Sequence, residues 1–360
     1  MSFIEIDGSY GEGGGQILRS SVALSALVMK PVHVFNIRAK RSNPGLRPQH
    51  VTAVRAVATI SDALVKGLSI GSREIYFTPR RRAYGHFKFD VGTAGSISLV
   101  LQALLPAAAF APGPCTFEII GGTDVMRAPP IDYIRNVFLP WLRKMGYHVR
   151  IEVRRRGHYP RGGGHVISMT QPVKTLKPLT ALERGKIVEI RGLSHCVKLP
   201  RHVAERQARS AEKVLKEAGF DNVKIDLEWY PPGRDPHLGP GSAIVLWAIT
   251  DKGFIIGADA LGERGKRAEI VGEEAARKLI DEISRNAPVD SHLGDMLIPF
   301  MAVADGISKV KVTKLTLHTL TNIHVTEKIL GVKFKVEGAE GEIGYIEVQG
   351  MGLSTSQYKP

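Results

Sequence analysis

Three groups of residues could do chemistry. The first is Glu12, set in Gly11-Glu12-Gly13-Gly14-Gly15-Gln16. Glycine lets a backbone approach a ligand closely, and free N–H groups at a helix start attract anions. A carboxylate in such a nest repels phosphate unless a divalent cation bridges the two, so the pattern suits a metal-bound nucleotide, with Glu12 on Mg²⁺ or Mn²⁺. The second group is a basic loop carrying Arg38, Lys40, Arg41 and Arg47, whose guanidinium forks match phosphate oxygens. The third is His318, which follows a β-type run from Val310 to Leu317 and is expected at a strand end, where α/β proteins place reactive groups. A neutral imidazole is a competent nucleophile toward phosphorus.

Several familiar sites are excluded. A dinucleotide fingerprint fails because Gln16 holds its third glycine slot and residues 31–38 contain no acid for a ribose. The chain has no G-x-x-x-x-G-K-[ST] and no H-E-x-x-H, and His318 and His324 lack the spacing of a helical metal pair. Each group alone also admits a plainer reading: a tight turn, a solvated basic loop, a structural histidine. Further basic runs, Arg80-Arg81-Arg82 and Arg154-Arg155-Arg156, could track a nucleic-acid backbone.

The elements that must position these groups recur in one order. A glycine-rich turn leads to a helix (Ile17 to Val28), a strand (Val32 to Ile37) and a second helix (Pro48 to Leu64). The order returns with Gly92-Thr93-Ala94-Gly95, the helix Ser96 to Phe110, the strand Cys115 to Ile120 and the helix Pro130 to Met145. It returns again with Ser291 to Asp295, the helix Met296 to Ala304, the strand Val310 to Leu317 and the helix Asn322 to Leu330. Self-similarity at long period indicates stacked modules. The fold class expected is α/β (α+β), with three repeats at about 1–85, 86–187 and 287–360 in one main domain (1–187 and 287–360). A smaller α/β domain is inserted at 188–286, where helices Arg201 to Ala218 and Glu269 to Ser284 accompany strands.

The 360 residues, 43% of them hydrophobic, are ample for a large core and too many for one ordinary domain. A net charge of +14 points to a polyanionic partner. Two cysteines make no disulfide framework, and with no signal peptide or spanning segment visible, a cytoplasmic protein without a membrane is expected.

Taken together, several motifs resemble the RNA 3′-terminal phosphate cyclase family. They are Gly11 to Arg19, Pro44-Gly45-Leu46 with Gln49-His50, Gly121-Gly122-Thr123-Asp124 with Ala128-Pro129-Pro130, Arg156 to Gly164, His292 to Asp295, and His318 to Ile323. The resemblance runs in order from about Ile4 to Val348. It implies three βαβα-type repeats like the C-terminal domain of translation initiation factor three, plus the insert. It also implies that ATP and a divalent metal place AMP on a histidine. AMP would then pass to the 3′-phosphate of RNA, and the neighbouring 2′-OH would close a 2′,3′-cyclic phosphate.

By that resemblance His318 is the nucleophile and Glu12 the metal-binding acid. Arg19, Arg38, Arg41 and Gln49 meet phosphates or the RNA end. Gln102, Pro130, His292, Leu293, Gly294, Asp295 and Met296 contact ATP. Two positions depart from the family pattern: Met296 stands where relatives commonly carry Gln, and Pro48 where an Arg is frequent. A family branch in ribosome assembly lacks the nucleophilic histidine, which this chain has. Two other readings remain, a noncatalytic RNA-binding scaffold and an enolpyruvyl-transferase-like enzyme; the latter would leave His318 without a role.

Overall fold

The computed structural model describes residues 2–355; residue 1 and residues 356–360, at the ends of the expected main domain, lie outside the described residues. Three four-stranded sheets repeat one topology. The first contains Ile4–Asp7, Val32–Phe35, Ile75–Thr78 and Leu64–Lys66 in spatial order, and the second Gly85–Asp90, Cys115–Gly121, Gly164–Thr170 and Val149–Arg155. The third contains Thr180–Ala181, Ile307–Val312, Gly344–Gln349 and Phe334–Glu337. In each, the first two strands run parallel and the remaining pairs antiparallel. Parallel neighbours need a crossover, and a helix supplies it: Gly15–Val28 in the first unit, Ile97–Ala108 in the second, Leu293–Val303 in the third. A second helix follows each crossover: Pro48–Ile60, the helical run from Ile131 to Lys144, and Leu317–Leu330.

The strands explain the layering. Cys115–Gly121 and Gly164–Thr170 alternate strictly between buried and half-buried residues, so one face of the sheet is apolar. The helices cover that face and meet one another in the centre. Gly15–Val28 touches Pro48–Ile60, Ile97–Ala108 and Leu317–Leu330, and Leu293–Val303 touches the last two of these. Helices buried on several sides must be apolar nearly all round, and Gly15–Val28 is: Ile17, Leu18, Val22, Leu24 and Leu27 are all inaccessible. Side chains from all three units form one continuous core.

The fourth sheet orders Val223–Glu228, Ile187–Val197, Gly241–Thr250 and Ile255–Leu261. Helices His202–Glu217 and Ala268–Ser284 pack together against it around Ile190, Leu215, Ile244, Val271 and Leu279. This unit interrupts the first crossover of the third repeat. The third sheet's leading strand, Thr180–Ala181, therefore precedes it, within the stretch 86–187 expected to hold the second unit.

Local differences from the sequence expectation have physical causes. The helix from Pro48 ends at Ile60, and Leu64–Lys66 becomes an edge strand after Asp62, which turns the chain in the left-handed region (φ 45°). The strand expected from Val310 to Leu317 ends at Val312. The Thr316 hydroxyl then accepts from the Thr319 N–H at 3.1 Å and caps a helix that starts at Leu317. His318 thus lies in the first turn of a helix, not at a strand end.

Candidate active site

The site forms where three helix starts converge. Gln16 is in the first turn of Gly15–Val28, Asp295 in that of Leu293–Val303 and His318 in that of Leu317–Leu330. Each start presents the positive end of its helix dipole, so together they favour an anion. The turn before the first helix needs its glycines. Gly11 and Gly13 have φ of 54° and 61°, and a Cβ on Gly15 would stand 2.2 Å from His50 Nε2.

A chain of hydrogen bonds runs through the convergence. Gln16 Nε2 donates to Asp295 Oδ2 at 2.5 Å, which leaves its Oε1 as an acceptor. That oxygen lies 2.8 Å from His318 Nδ1, so Nδ1 carries the proton and Nε2 keeps its lone pair. Glu12 Oε2 stands 3.3 Å from the same Nδ1, and Glu12 Oε1 pairs with the Arg41 guanidinium. The Glu12 N–H donates to the Thr321 hydroxyl at 3.4 Å, and the Asn322 amide donates to the Asp295 carbonyl at 2.7 Å. The His318 side chain is 53% exposed, so a ligand can reach its ring.

Charge in the site is set by burial and by the crowd of cations. Desolvation lowers the His318 pKa; Asp295 opposes this, while Arg19, His292 and Arg41 add to it. Its imidazole is therefore neutral at physiological pH. Desolvation raises Asp295, against the pull of His318, His292 and Arg19. Arg19 is brought down to about 10 by desolvation, with Asp295 as its counter-charge. His50 falls to about 3, first by desolvation and then by Arg19, Arg38 and Arg47. Its Nδ1 accepts from the Arg47 N–H at 3.1 Å, so the proton sits on Nε2, facing Gly15.

Beside these groups lies a cleft. Its polar wall is Gln16, Arg19, Ser20, Gln102, Asp295 and Asn322, and its apolar wall Ala23, Pro106, Phe138, Met296, Pro299 and Phe300. Of the residues expected from sequence, Glu12, Arg19, Arg41, Gln102, Asp295, Met296 and His318 belong to this cleft or its hydrogen-bond chain. Arg38 is held back by donating to the carbonyls of Asn43 (2.6 Å) and Gly45 (2.8 Å), and acts on the site through its charge on His50. Gln49 lies against the turn at Gly95. Pro130 is buried outside the cleft lining. It begins the helix whose Tyr133 ring meets His292 edge-on, 6.3 Å between centroids. Leu293 and Gly294 are buried and open the helix whose first turn carries Asp295.

Gln16, His50, Thr321 and Asn322 join the site through their contacts, although residue type did not single them out. One signal was present: Gln16, Arg19, Ser20 and Ala23 sit at the i, i+3, i+4, i+7 spacing of one helix face.

Glu12 offers a metal its carboxylate oxygens here. Glu12 is a carboxylate at the mouth of an anion-favouring convergence, with both oxygens at present paired to nitrogen. One carboxylate together with substrate phosphates is the usual donor set for Mg²⁺, so the residues fit such an ion.

Comparison with known proteins adds the following. A family model described as RNA 3′-terminal phosphate cyclase matches residues 10–336. A protein of that name from Staphylothermus marinus is 59% identical over 356 residues, covering 98% of this chain and 100% of the relative. One from Ignicoccus hospitalis is 59% identical over 327 residues (91% and 92% covered), and one from Methanopyrus kandleri 53% over 352 residues (98% and 100%). No helix among the described residues is long and apolar enough to cross a membrane.

Proposed function

The chain belongs to the RNA 3′-terminal phosphate cyclase family, and on that premise we propose that it converts an RNA 3′-terminal phosphate to a 2′,3′-cyclic phosphate at the expense of ATP, through a covalent adenylate on His318. The observation that carries this reading is the bond between His318 Nδ1 and Gln16 Oε1, which holds the ring and leaves Nε2 free. Nε2 attacks the α-phosphorus of ATP; the N–P bond forms and the bond to pyrophosphate breaks. Arg19 and Arg41 stabilise the charge that develops. The apolar wall of Pro106, Phe138, Met296 and Phe300 suits a nucleobase, and Gln102 and Asn322 offer it hydrogen bonds. Glu12 would hold Mg²⁺ or Mn²⁺, which supplies neutralisation of the triphosphate when bound.

The RNA 3′-phosphate then takes AMP from His318, whose protonated form is the better leaving group. The vicinal 2′-OH attacks the activated phosphate and AMP departs. Proximity of that hydroxyl supplies much of the barrier reduction. The net charge of +14 supports a polyanionic substrate.

Incubation with ATP labelled at the α-phosphate and Mg²⁺ is expected to leave acid-labile, alkali-stable label on the protein. His318→Ala should remove it without changing the circular dichroism. Label retained by a folded His318→Ala protein would mean another nucleophile. RNA whose labelled 3′-phosphate stays fully open to phosphatase after incubation would leave the chain a noncatalytic RNA binder.

A further inference from the structure

A second cluster of chemically capable side chains lies far from His318 in sequence and on other elements, where the second sheet meets the inserted unit. Asp124 follows the strand Cys115–Gly121, His158 follows Val149–Arg155, and His195 lies on the inserted strand Ile187–Val197. All three are buried, and their ligating atoms lie within 4.8 Å of one another. His158 Nε2 and His195 Nε2 are 3.2 Å apart, and His195 Nε2 is 3.7 Å from Asp124 Oδ2. We propose that Asp124, His158 and His195 form a structural site for one borderline divalent cation, Zn²⁺ first, that clamps the inserted unit to the second repeat.

Geometry supports this. Zinc bonds of about 2.0–2.1 Å in a tetrahedron put neighbouring ligand atoms about 3.3–3.4 Å apart, and the separations of 3.2 and 3.7 Å bracket that edge. Two imidazole nitrogens and a carboxylate oxygen suit zinc rather than Mg²⁺ or Ca²⁺, which prefer oxygen alone.

The two imidazoles face each other through Nε2 across the junction. Facing imidazole nitrogens can share one proton at most between them, while Asp124 Oδ2 accepts from the Thr123 hydroxyl at 2.6 Å. A cation between them would engage all three. Asp124 Oδ1 and, close by, His237 Nε2 are also buried without a hydrogen-bond partner among the described residues. His237 is near enough for its charge to act on both His158 and His195. Its Nδ1 lies 2.7 Å from Asp235 Oδ1, the carboxylate–imidazole pairing that orients metal-binding histidines.

Positive charge nearby does not preclude an ion. Arg156 lies 3.4 Å from Asp124 Oδ2 but is paired with Asp132 and, through two nitrogens, with Glu228. Arg135 also pairs with Asp132, so three carboxylates face two guanidiniums. The backbone is rigid where it matters: Asp124 and His158 bridge each other directly, and the Thr123 N–H donates to the Gly157 carbonyl at 2.8 Å.

The test is metal content. Full-length protein loaded with Zn²⁺ and dialysed against metal-free buffer is expected to retain about one zinc per chain by elemental mass spectrometry, and to lose thermal stability on chelation. Co²⁺ added to the stripped protein should give the intense visible absorption of a tetrahedral site. His158→Phe and His195→Phe should cut retained metal at least about tenfold, while Glu12→Gln and His318→Ala should keep it, which separates this site from the ATP site. Wild-type protein that retains no zinc and gives no cobalt spectrum would overturn the proposal, leaving a hydrogen-bonded histidine pair. So would full retention by either phenylalanine variant. Should those variants fail to fold, the wild-type zinc content and cobalt spectrum decide.

Discussion

Replacing Gln16 tests the hydrogen-bond chain directly, because Gln16 touches the nucleophile but need not touch the substrate's reacting phosphorus. In Gln16→Leu the side chain keeps its approximate volume and loses both its bond to His318 Nδ1 (2.8 Å) and its bond to Asp295 (2.5 Å). Before attack, the first of these joins two neutral groups and is worth about 1 kcal/mol net. As Nε2 bonds to phosphorus the ring becomes cationic, and the same bond becomes charge-assisted, worth about 1.5–3 kcal/mol. The difference, about 0.5–2 kcal/mol, is lost only from the transition state, and at 1.36 kcal/mol per decade it slows adenylylation about 2- to 30-fold. Glu12 Oε2, 3.3 Å from Nδ1, can take over part of the duty and favours the lower half of that range. Single-turnover quench with α-labelled ATP at saturation measures the step. The loss should fall on the rate constant and not on the ATP concentration giving half the maximal rate. Gln16→Glu is the companion variant. It restores an acceptor and adds a negative charge, which raises the His318 pKa and moves the acid limb of the pH–rate profile to higher pH. A Gln16→Leu rate within error of wild type, with an unmoved profile in Gln16→Glu, would refute the orienting role.

Three other expectations follow from the same geometry. Gly15→Ala should destabilise the fold by about 1–3 kcal/mol in urea denaturation, since its Cβ would meet His50 Nε2 at 2.2 Å and Arg19 Nη1 at 3.0 Å; an unchanged midpoint would mean that His50 moves freely. Arg156→Met should cost about 3 kcal/mol or more, because it strands the buried Asp132 and the Glu228 carboxylate across the junction of repeat and insert. A loss under 1 kcal/mol would show that Arg135 and solvent suffice. The folded pKa of His50, near 3, lies below its ordinary 6.5, so the native state binds fewer protons between those values. Its contribution to stability is complete above pH 6.5 and is lost as pH falls toward 3. His50→Gln should flatten the acid limb of a stability–pH curve by on the order of a few kcal/mol; curves that differ only by a constant offset would rule this out.

What could be read from sequence divides along physical lines. Residues whose type limits them to few jobs were legible: glycines with positive φ before a helix, arginines near a carboxylate, a histidine among hydroxyls. So was the threefold order of turn, helix and strand, because apolar periodicity reflects a face each element must bury on its own. Pairing with distant segments was not. Thr180–Ala181 is two residues long and is a strand only because Ile307–Val312 lies beside it across the insert. Gly85–Asp90 reads Gly-His-Phe-Lys-Phe-Asp, without the β-branched residues that mark a strand, and is held by its parallel register with the run from Cys115 to Ile120.

Gln16 presents the same difficulty at the site. Nothing near it in sequence predicts its partners, since His318 is 302 residues away and Asp295 is 279. The repeat resolves this afterwards. Gln16, Asp295 and His318 each occupy a first helical turn, two on crossover helices of different repeats and one on the second helix of the third. Packing the repeats helix against helix brings those starts together. An anion drawn to one dipole end therefore meets all three, and the polar residue carried by each start is set against the others without any local contact to announce it. The residue that is hardest to foresee is then the one whose polar partners come from another repeat, and a substitution at Gln16 should perturb His318 more than its position in the chain suggests.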